Sequence, residues 1–174
     1  MARGYRPLSA SAVRREHPLI LVTVGSFQFS ELIARVDALV ANGTIREPVV
    51  AQIGSGEYVP RHMEHFRYDP NIGAWYDKAR LVICHGGPAT MSELMRRKRP
   101  FVAIANPSLA HDHQSDTLAA MSRRGWCVWC RSLDDLPQAI ERARVPEVPD
   151  THARLSRSIA DFFRSQMLPR RERA

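Results

Sequence analysis

The stretch Leu81-Val82-Ile83-Cys84-His85-Gly86-Gly87-Pro88-Ala89-Thr90-Met91-Ser92-Glu93-Leu94 decides how this chain is read. An apolar run ends abruptly in His-Gly-Gly, and a helical pattern follows at once. The pattern predicts a buried parallel strand, a tight turn almost free of side chains, and a helix whose first turn is open. Pro88 suits the first helical position, because its fixed φ is already helical and its missing N–H would have been an orphan donor. The two glycines let the backbone approach another group closely. The N–H groups of the first helical turn carry about half a positive charge, so the turn offers a seat for phosphate. A second reading stays open at this point. Thr90-Met91-Ser92-Glu93 also fits a capping box, with the strand–glycine–helix turn serving only as a connection.

Working outward, Leu19-Ile20-Leu21-Val22-Thr23-Val24 reads as an apolar strand halted by Gly25-Ser26. Leu32, Ile33, Val36, Leu39 and Val40 then recur at helical spacing, with Ser30 as N-cap and Gly43 just past the end. Pro48 to Ile53 is a second strand halted by Gly54-Ser55-Gly56; Met63 to Tyr68 is a third, and Pro70 to Asp77 a short helix. Downstream, Pro100 to Ala105 is a strand broken by Asn106-Pro107, and the loop Ser108 to His113 leads into a helix from Gln114 to Arg124. Trp126 to Cys130 reads as a strand, and Asp134-Asp135 opens a helix through Arg142. Strands alternating with helices, with apolar runs too uniform for a half-solvated sheet, predict an α/β fold: a doubly wound parallel sheet, Rossmann-like. Ligands in such folds sit beyond the carboxyl ends of the strands. Four unusual loops follow strands directly: Gly25-Ser26, Gly54-Ser55-Gly56, His85-Gly86-Gly87, and Asn106 through Gln114. No Gly-x-Gly-x-x-Gly follows the first strand, which argues against a dinucleotide site of the usual kind.

A chain of 174 residues with 44% apolar content suits one folded domain with appended tails. The expected division is a mobile basic arm over 1–17, a ligand-binding domain over 18–145, and a linker, amphipathic helix and basic tail over 146–174. The net charge of +7 sits at the ends. Residues 1–17 carry four Arg against Glu16, and residues 150–174 carry six Arg against Asp150, Asp161 and Glu172. A neutral body argues against nucleic acid, whose binders carry charge on the folded face. Basic ends fit solvated tails, an anionic membrane surface or an acidic partner. No secretory leader pattern and no apolar run near ~20 residues is present in the sequence, so a cytoplasmic location is expected.

Cys127 and Cys130 lie on a predicted strand, where an odd separation sends the thiols to opposite faces about 10 Å apart. With Cys84 they read as core cysteines. His62-Met63-Glu64-His65 splits its histidines across a strand in the same way, and His111-Asp112-His113 has no third ligand in view, so no metal is expected. Arg96-Arg97-Lys98-Arg99 closes a helix, where cations complement the dipole.

His85-Gly86-Gly87-Pro88-Ala89-Thr90, Glu93, Lys98-Arg99-Pro100 and Asp112-His113-Gln114, in that order, resemble the donor-binding C-terminal half of GT-B glycosyltransferases of the MurG type, family 28. Val22 to Ser26 and Ala51 to Gly54 extend the likeness to short, single-domain subunits of two-piece transferases, those of N-glycan precursors and of bacterial exopolysaccharide or capsule. The resemblance spans Leu19 to Cys130. It implies a UDP-sugar donor, with Gly86, Gly87 and Thr90 on the phosphates and Glu93 on the ribose hydroxyls. Asp112, His113 and Gln114 would lie along the sugar, Gly25 and Ser26 would border the diphosphate, and the uracil would meet backbone near Tyr68 to Ile72. His85 would donate to a phosphate oxygen of the leaving group, or be a buried histidine bonded to backbone.

The implied chemistry needs no metal or other cofactor, because helix-start amides stabilise the charge growing on the departing diphosphate. The acceptor half of single-chain relatives, where the general base usually lies, has no counterpart in this sequence, so no base is assigned. The resemblance therefore implies a membrane-anchored partner subunit, a polyprenyl- or other lipid-linked acceptor, and a peripheral position at the inner face of the membrane. Thr151 to Met167, with Leu155, Ile159, Phe162 and Phe163 on one side, is the segment expected to meet that partner or to pack on its own domain. Two readings compete: a non-catalytic nucleotide-sugar-binding subunit, and a His-ligated metal hydrolase.

Overall fold

A computed structural model describes residues 19–107, 113–147 and 161. The expected basic arm, and all of Thr151 to Met167 except Asp161, lie outside the described residues. The chain divides into two compact units, Met1–Arg80 and Leu81–Ala174.

The first unit runs β1 (Leu19–Thr23), α1 (Ser30–Ala41), β2 (Val49–Gln52), β3 (Glu64–Phe66) and α2 (Ile72–Lys78). Its strands lie in the order β3-β2-β1 and are all parallel, Ile20 facing Val49 and Val50 facing Glu64. Every residue of β1 and β2 is buried, which is why their sequences are near-continuous apolar runs, closed by Thr23 and Gln52, and not alternations. Helix α1 buries Leu32, Ile33, Val36 and Leu39, the stripe its spacing predicted. Its start differs from expectation. Phe29 is the N-cap and no side chain caps the helix, so Ser30 is its first residue. Burial of the Phe29 ring fixes where the chain turns in, and that outweighs a hydroxyl cap. The far end is as expected: Gly43 takes φ 76° and its N–H donates to Val40 O at 3.1 Å. Phe66 stacks on Trp75 at 5.0 Å, and the Trp75 indole N–H donates to Asp69 at 2.8 Å.

The second unit holds β4 (Ala79–His85) from Leu81 onward, then α3 (Pro88–Arg96), β5 (Phe101–Ile104), α4 (His113–Arg123), β6 (Val128–Cys130) and α5 (Leu136–Arg142). Its strands lie in the order β4-β5-β6, again parallel, Val82 facing Phe101 and Val102 facing Val128. Strand β6 is shorter than predicted. Gly125 at φ 68° and Trp126 are used to close α4, the Trp126 N–H donating to Met121 O at 3.1 Å, so pairing begins only at Val128. The helix predicted from Asp134 is split. A 3-10 turn, Leu133–Asp135, is capped by the Ser132 hydroxyl, which accepts the Asp134 N–H at 3.2 Å, and α5 follows. All three cysteines are free, and burial pushes the Cys130 thiol up to about 11.

Parallel strands alternating with helices, in the orders 3-2-1 and 4-5-6, are the two mononucleotide-type halves that define the doubly wound, Rossmann-like α/β class. No helix among the described residues is long and apolar enough to cross a membrane.

Candidate functional site

The loop between β4 and α3 forms the centre of the second unit's candidate site. Gly86 N–H donates to Ile104 O at 2.9 Å, prolonging the β4–β5 ladder by one bond, and Gly87 N–H turns back to His85 O at 2.7 Å. The glycine amides are therefore already engaged, and the glycines contribute room. A Cβ on Gly87 would lie 2.4 Å from His85 Nε2, and one on Gly86 would lie 3.0 Å from Leu118 Cδ1 and 3.3 Å from Gln114 Cγ. The His85 ring, 4% exposed, thus lies against Gly87.

Gly87 is the N-cap of α3 and Pro88 its first residue, with no side-chain cap. The first helical bond is Met91 N–H to Gly87 O at 3.1 Å, so the amides of Ala89 and Thr90 have no helical carbonyl to serve. These two amides and the Thr90 hydroxyl are the donors the turn presents, on exposed or half-exposed residues. The capping-box alternative is excluded by where Glu93 points. Its carboxylate accepts from Arg96 Nη2 at 2.6 Å and from Arg97 Nε at 2.6 Å, away from Thr90. The bonds from Arg96 hold its carboxyl below the ordinary glutamate range; burial opposes them and Arg97 adds to them.

Gln114, at the start of α4, packs on Gly86 and accepts the Asn106 N–H through Oε1 at 2.8 Å. This bond ties the loop after β5 to the glycine turn through Oε1, and the amide nitrogen of Gln114 is a donor. Asn106 is itself buried at 3% exposure. Asp112 lies outside the described residues, and of His113 only the backbone is described, as the first residue of α4. The second unit therefore brings together His85, Gly86, Gly87, Thr90 and Gln114.

In the first unit, the loops after β1 and β2 meet. Gly54, at φ 58°, has no room for a Cβ, which would fall 2.0 Å from Phe27 O, and Ser55 N–H donates to that same carbonyl at 3.3 Å. Gly25, at φ 64°, is held from below: its N–H donates to Thr23 Oγ1 at 3.2 Å, and the Thr23 hydroxyl donates to Gln52 Oε1 at 2.9 Å. Ser26 is exposed. Arg67 Nη1 reaches Gly54 O at 3.1 Å and Gly56 O at 3.0 Å, fixing the turn after β2. Thr23 and Gln52 lie in stretches that carry the resemblance but have no role of their own in the sequence reading, and Arg67 has none; a hydroxyl and an amide inside otherwise apolar strands are the available signal.

Asp37 likewise has no role in the sequence reading. This residue is 2% exposed on α1 and accepts from His62 N–H at 2.7 Å, Arg61 N–H at 3.0 Å and the Tyr58 hydroxyl at 2.9 Å. Burial pushes its pKa up, but the two amides, Tyr58 and the His62 ring outweigh that and hold it below the usual aspartate value. His62 is thus a loop residue ahead of β3, while His65 lies within β3. Among the described residues no three His, Cys, Asp or Glu side chains converge on a metal-sized site.

An open helix start behind a glycine turn, on a Rossmann-like sheet, is an arrangement that recurs in nucleotide-binding α/β proteins. The chain belongs to the glycosyltransferase family 28 C-terminal domain, whose model matches residues 19–143. It is 29% identical over 123 residues to the mouse UDP-N-acetylglucosamine transferase subunit ALG13, covering 63% of this chain and 10% of that protein. It is 28% identical over 172 residues to a UDP-N-acetylglucosamine–N-acetylmuramyl-(pentapeptide) pyrophosphoryl-undecaprenol N-acetylglucosamine transferase of Salinibacter ruber, covering 82% of this chain and 46% of that enzyme. The chain therefore spans less than half the length of either relative. Its fold is also that of the ALG13 solution structure, with TM-score 0.57 and 15% identity over 83% of this chain and 95% of that one. Acinetobacter baumannii MurG gives TM-score 0.56 and 20% identity over 74% of this chain and 42% of that one.

Proposed function

We propose that this chain is the nucleotide-sugar-binding, catalytic half of a UDP-sugar-dependent glycosyltransferase. It would act on a lipid-linked acceptor together with a membrane-anchored partner that supplies the acceptor half and the general base. The observation that carries the reading is the start of α3, where the Ala89 and Thr90 amides stand without helical acceptors behind a turn kept clear by Gly86 and Gly87. Glycosyl transfer builds negative charge on the departing diphosphate, and fixed amides at a helix start stabilise it without reorganising. Glu93 takes the ribose hydroxyls, the Gln114 amide nitrogen donates to a hydroxyl of the sugar, and the buried His85 stands beside the diphosphate. The names of the relatives make UDP-N-acetylglucosamine the first donor to try.

Thermal unfolding in the presence of UDP, UDP-sugars, GDP-sugars and TDP-sugars tests this. UDP compounds at a hundredfold excess over Kd should stabilise the chain by about 2.7 kcal/mol. Gly87→Ala should abolish that shift, since its Cβ drives the His85 ring off the turn. A chain indifferent to every nucleotide at millimolar concentration would end the proposal.

A further inference from the structure

We propose that Arg97, with Arg96, is a positioning residue for the nucleotide, holding the Glu93 carboxylate in the orientation that accepts ribose hydroxyls. This rests on the ribose reading of Glu93 given above. Glu93 is the sixth residue of α3, and the two arginines follow it at the spacings that bring side chains together on one helix face. Arg96 grips the carboxylate with its fork: Nε meets Oε2 at 3.1 Å, and Nη2 meets Oε1 at 2.6 Å and Oε2 at 2.7 Å. Arg97 Nε adds a bond to Oε1 at 2.6 Å, from a side chain only 24% exposed. Each carboxylate oxygen thus takes two guanidinium contacts, Arg96 Nη2 being shared between them, so the carboxylate is fixed at both ends.

Stability alone does not account for this arrangement. Ion pairs on the surface of a helix contribute little to folding. What the pair changes is the freedom of the glutamate. A lone Glu samples many rotamers and must give them up when a ligand binds; one clamped at both oxygens has done so beforehand. A planar guanidinium enforces that geometry in a way a point charge does not.

The probe is discrimination by the full chain between UDP and 2′,3′-dideoxy-UDP, measured by calorimetry on wild type, Glu93→Gln, Arg96→Met, Arg97→Met and Arg97→Lys, with each melting temperature recorded. The expected result is a preference for UDP in wild type that collapses in Glu93→Gln. It shrinks about five- to tenfold in Arg97→Met at an unchanged melting temperature, and returns in part with Arg97→Lys. A merely structural role would weaken both ligands equally and leave the ratio alone. If wild type shows no preference, or Glu93→Gln keeps it, the ribose reading of Glu93 falls and the positioning role falls with it. If Glu93→Gln loses the preference while Arg96→Met and Arg97→Met keep it, the ribose reading stands and the positioning role is overturned. Tighter UDP binding by Arg97→Met overturns it as well, since the arginine would then be competing with the ribose.

Discussion

Asp37 and Glu93 are both acids on the helix that follows a parallel strand, one in each unit, and they are held in opposite ways. Asp37 is 2% exposed, and its donors include two backbone amides of the loop at Arg61 and His62. Those donors cannot leave unless the loop unfolds. Glu93 is partly open to solvent, and both of its partners are guanidinium groups on flexible stems. Those donors hold it from side chains alone, with no backbone amide among them. The same functional group is tied to the backbone in one place and only to side chains in the other, and the kind of donor, amide or guanidinium, sets how firmly it is held.

Replacing each acid sharpens that contrast most strongly. Asp37→Ala leaves two amides and the Tyr58 hydroxyl without their acceptor and should cost about 3 kcal/mol. That lowers the melting temperature by roughly 6–12 °C for a domain of this size. Glu93→Ala should move stability by less than about 1 kcal/mol. Equal losses in scanning calorimetry would erase the distinction.

A smaller effect follows from acid. The folded pKa of Asp37 lies below its unfolded value, so its contribution is fully present above the unfolded value, about 3.9, and is lost as pH falls through the folded one. Asp37→Asn should therefore be less stable near neutrality yet lose less on acidification below about pH 4. Parallel melting profiles for the two proteins across that range would contradict it.

The smallest expected effect compares two helix ends. Both α3 and α4 close with the same pair of backbone bonds, Arg99 N–H to Leu94 O and Lys98 N–H to Met95 O in one, Trp126 N–H to Met121 O and Gly125 N–H to Ser122 O in the other. The left-handed position is Gly125 at φ 68° in α4 but Lys98 at φ 51° in α3. Lys98→Gly should therefore stabilise by about 1 kcal/mol, and Gly125→Ala should destabilise by a similar amount. Denaturant midpoints that move the same way for both would count against this account.

How much of this was legible beforehand divides along the line between local and distant causes. The strands were legible because burial on both faces forces Leu19 to Val22 and Leu81 to Cys84 to be uniformly apolar. The start of α3 was legible because Pro88 declares a first helical position by its own geometry. Ser30 misled, since a capping hydroxyl is a local preference and the burial of Phe29 is a tertiary demand. The engagement of the Gly86 amide was illegible for a similar reason. Whether Gly86 N–H is available depends on Ile104, a residue on another strand. Asp37 was illegible because its partners lie more than twenty positions along the chain, and nothing around it in sequence marks a buried carboxylate.

One practical consequence comes from Gly54. Only its α-hydrogen fits beneath the Phe27 carbonyl, so the loops after β1 and β2 are interlocked at a single atom. A combinatorial library that diversifies residues 25 to 28 to retarget this protein has to leave position 54 untouched. Loop grafts from longer relatives will succeed only when both loops are transplanted as a set.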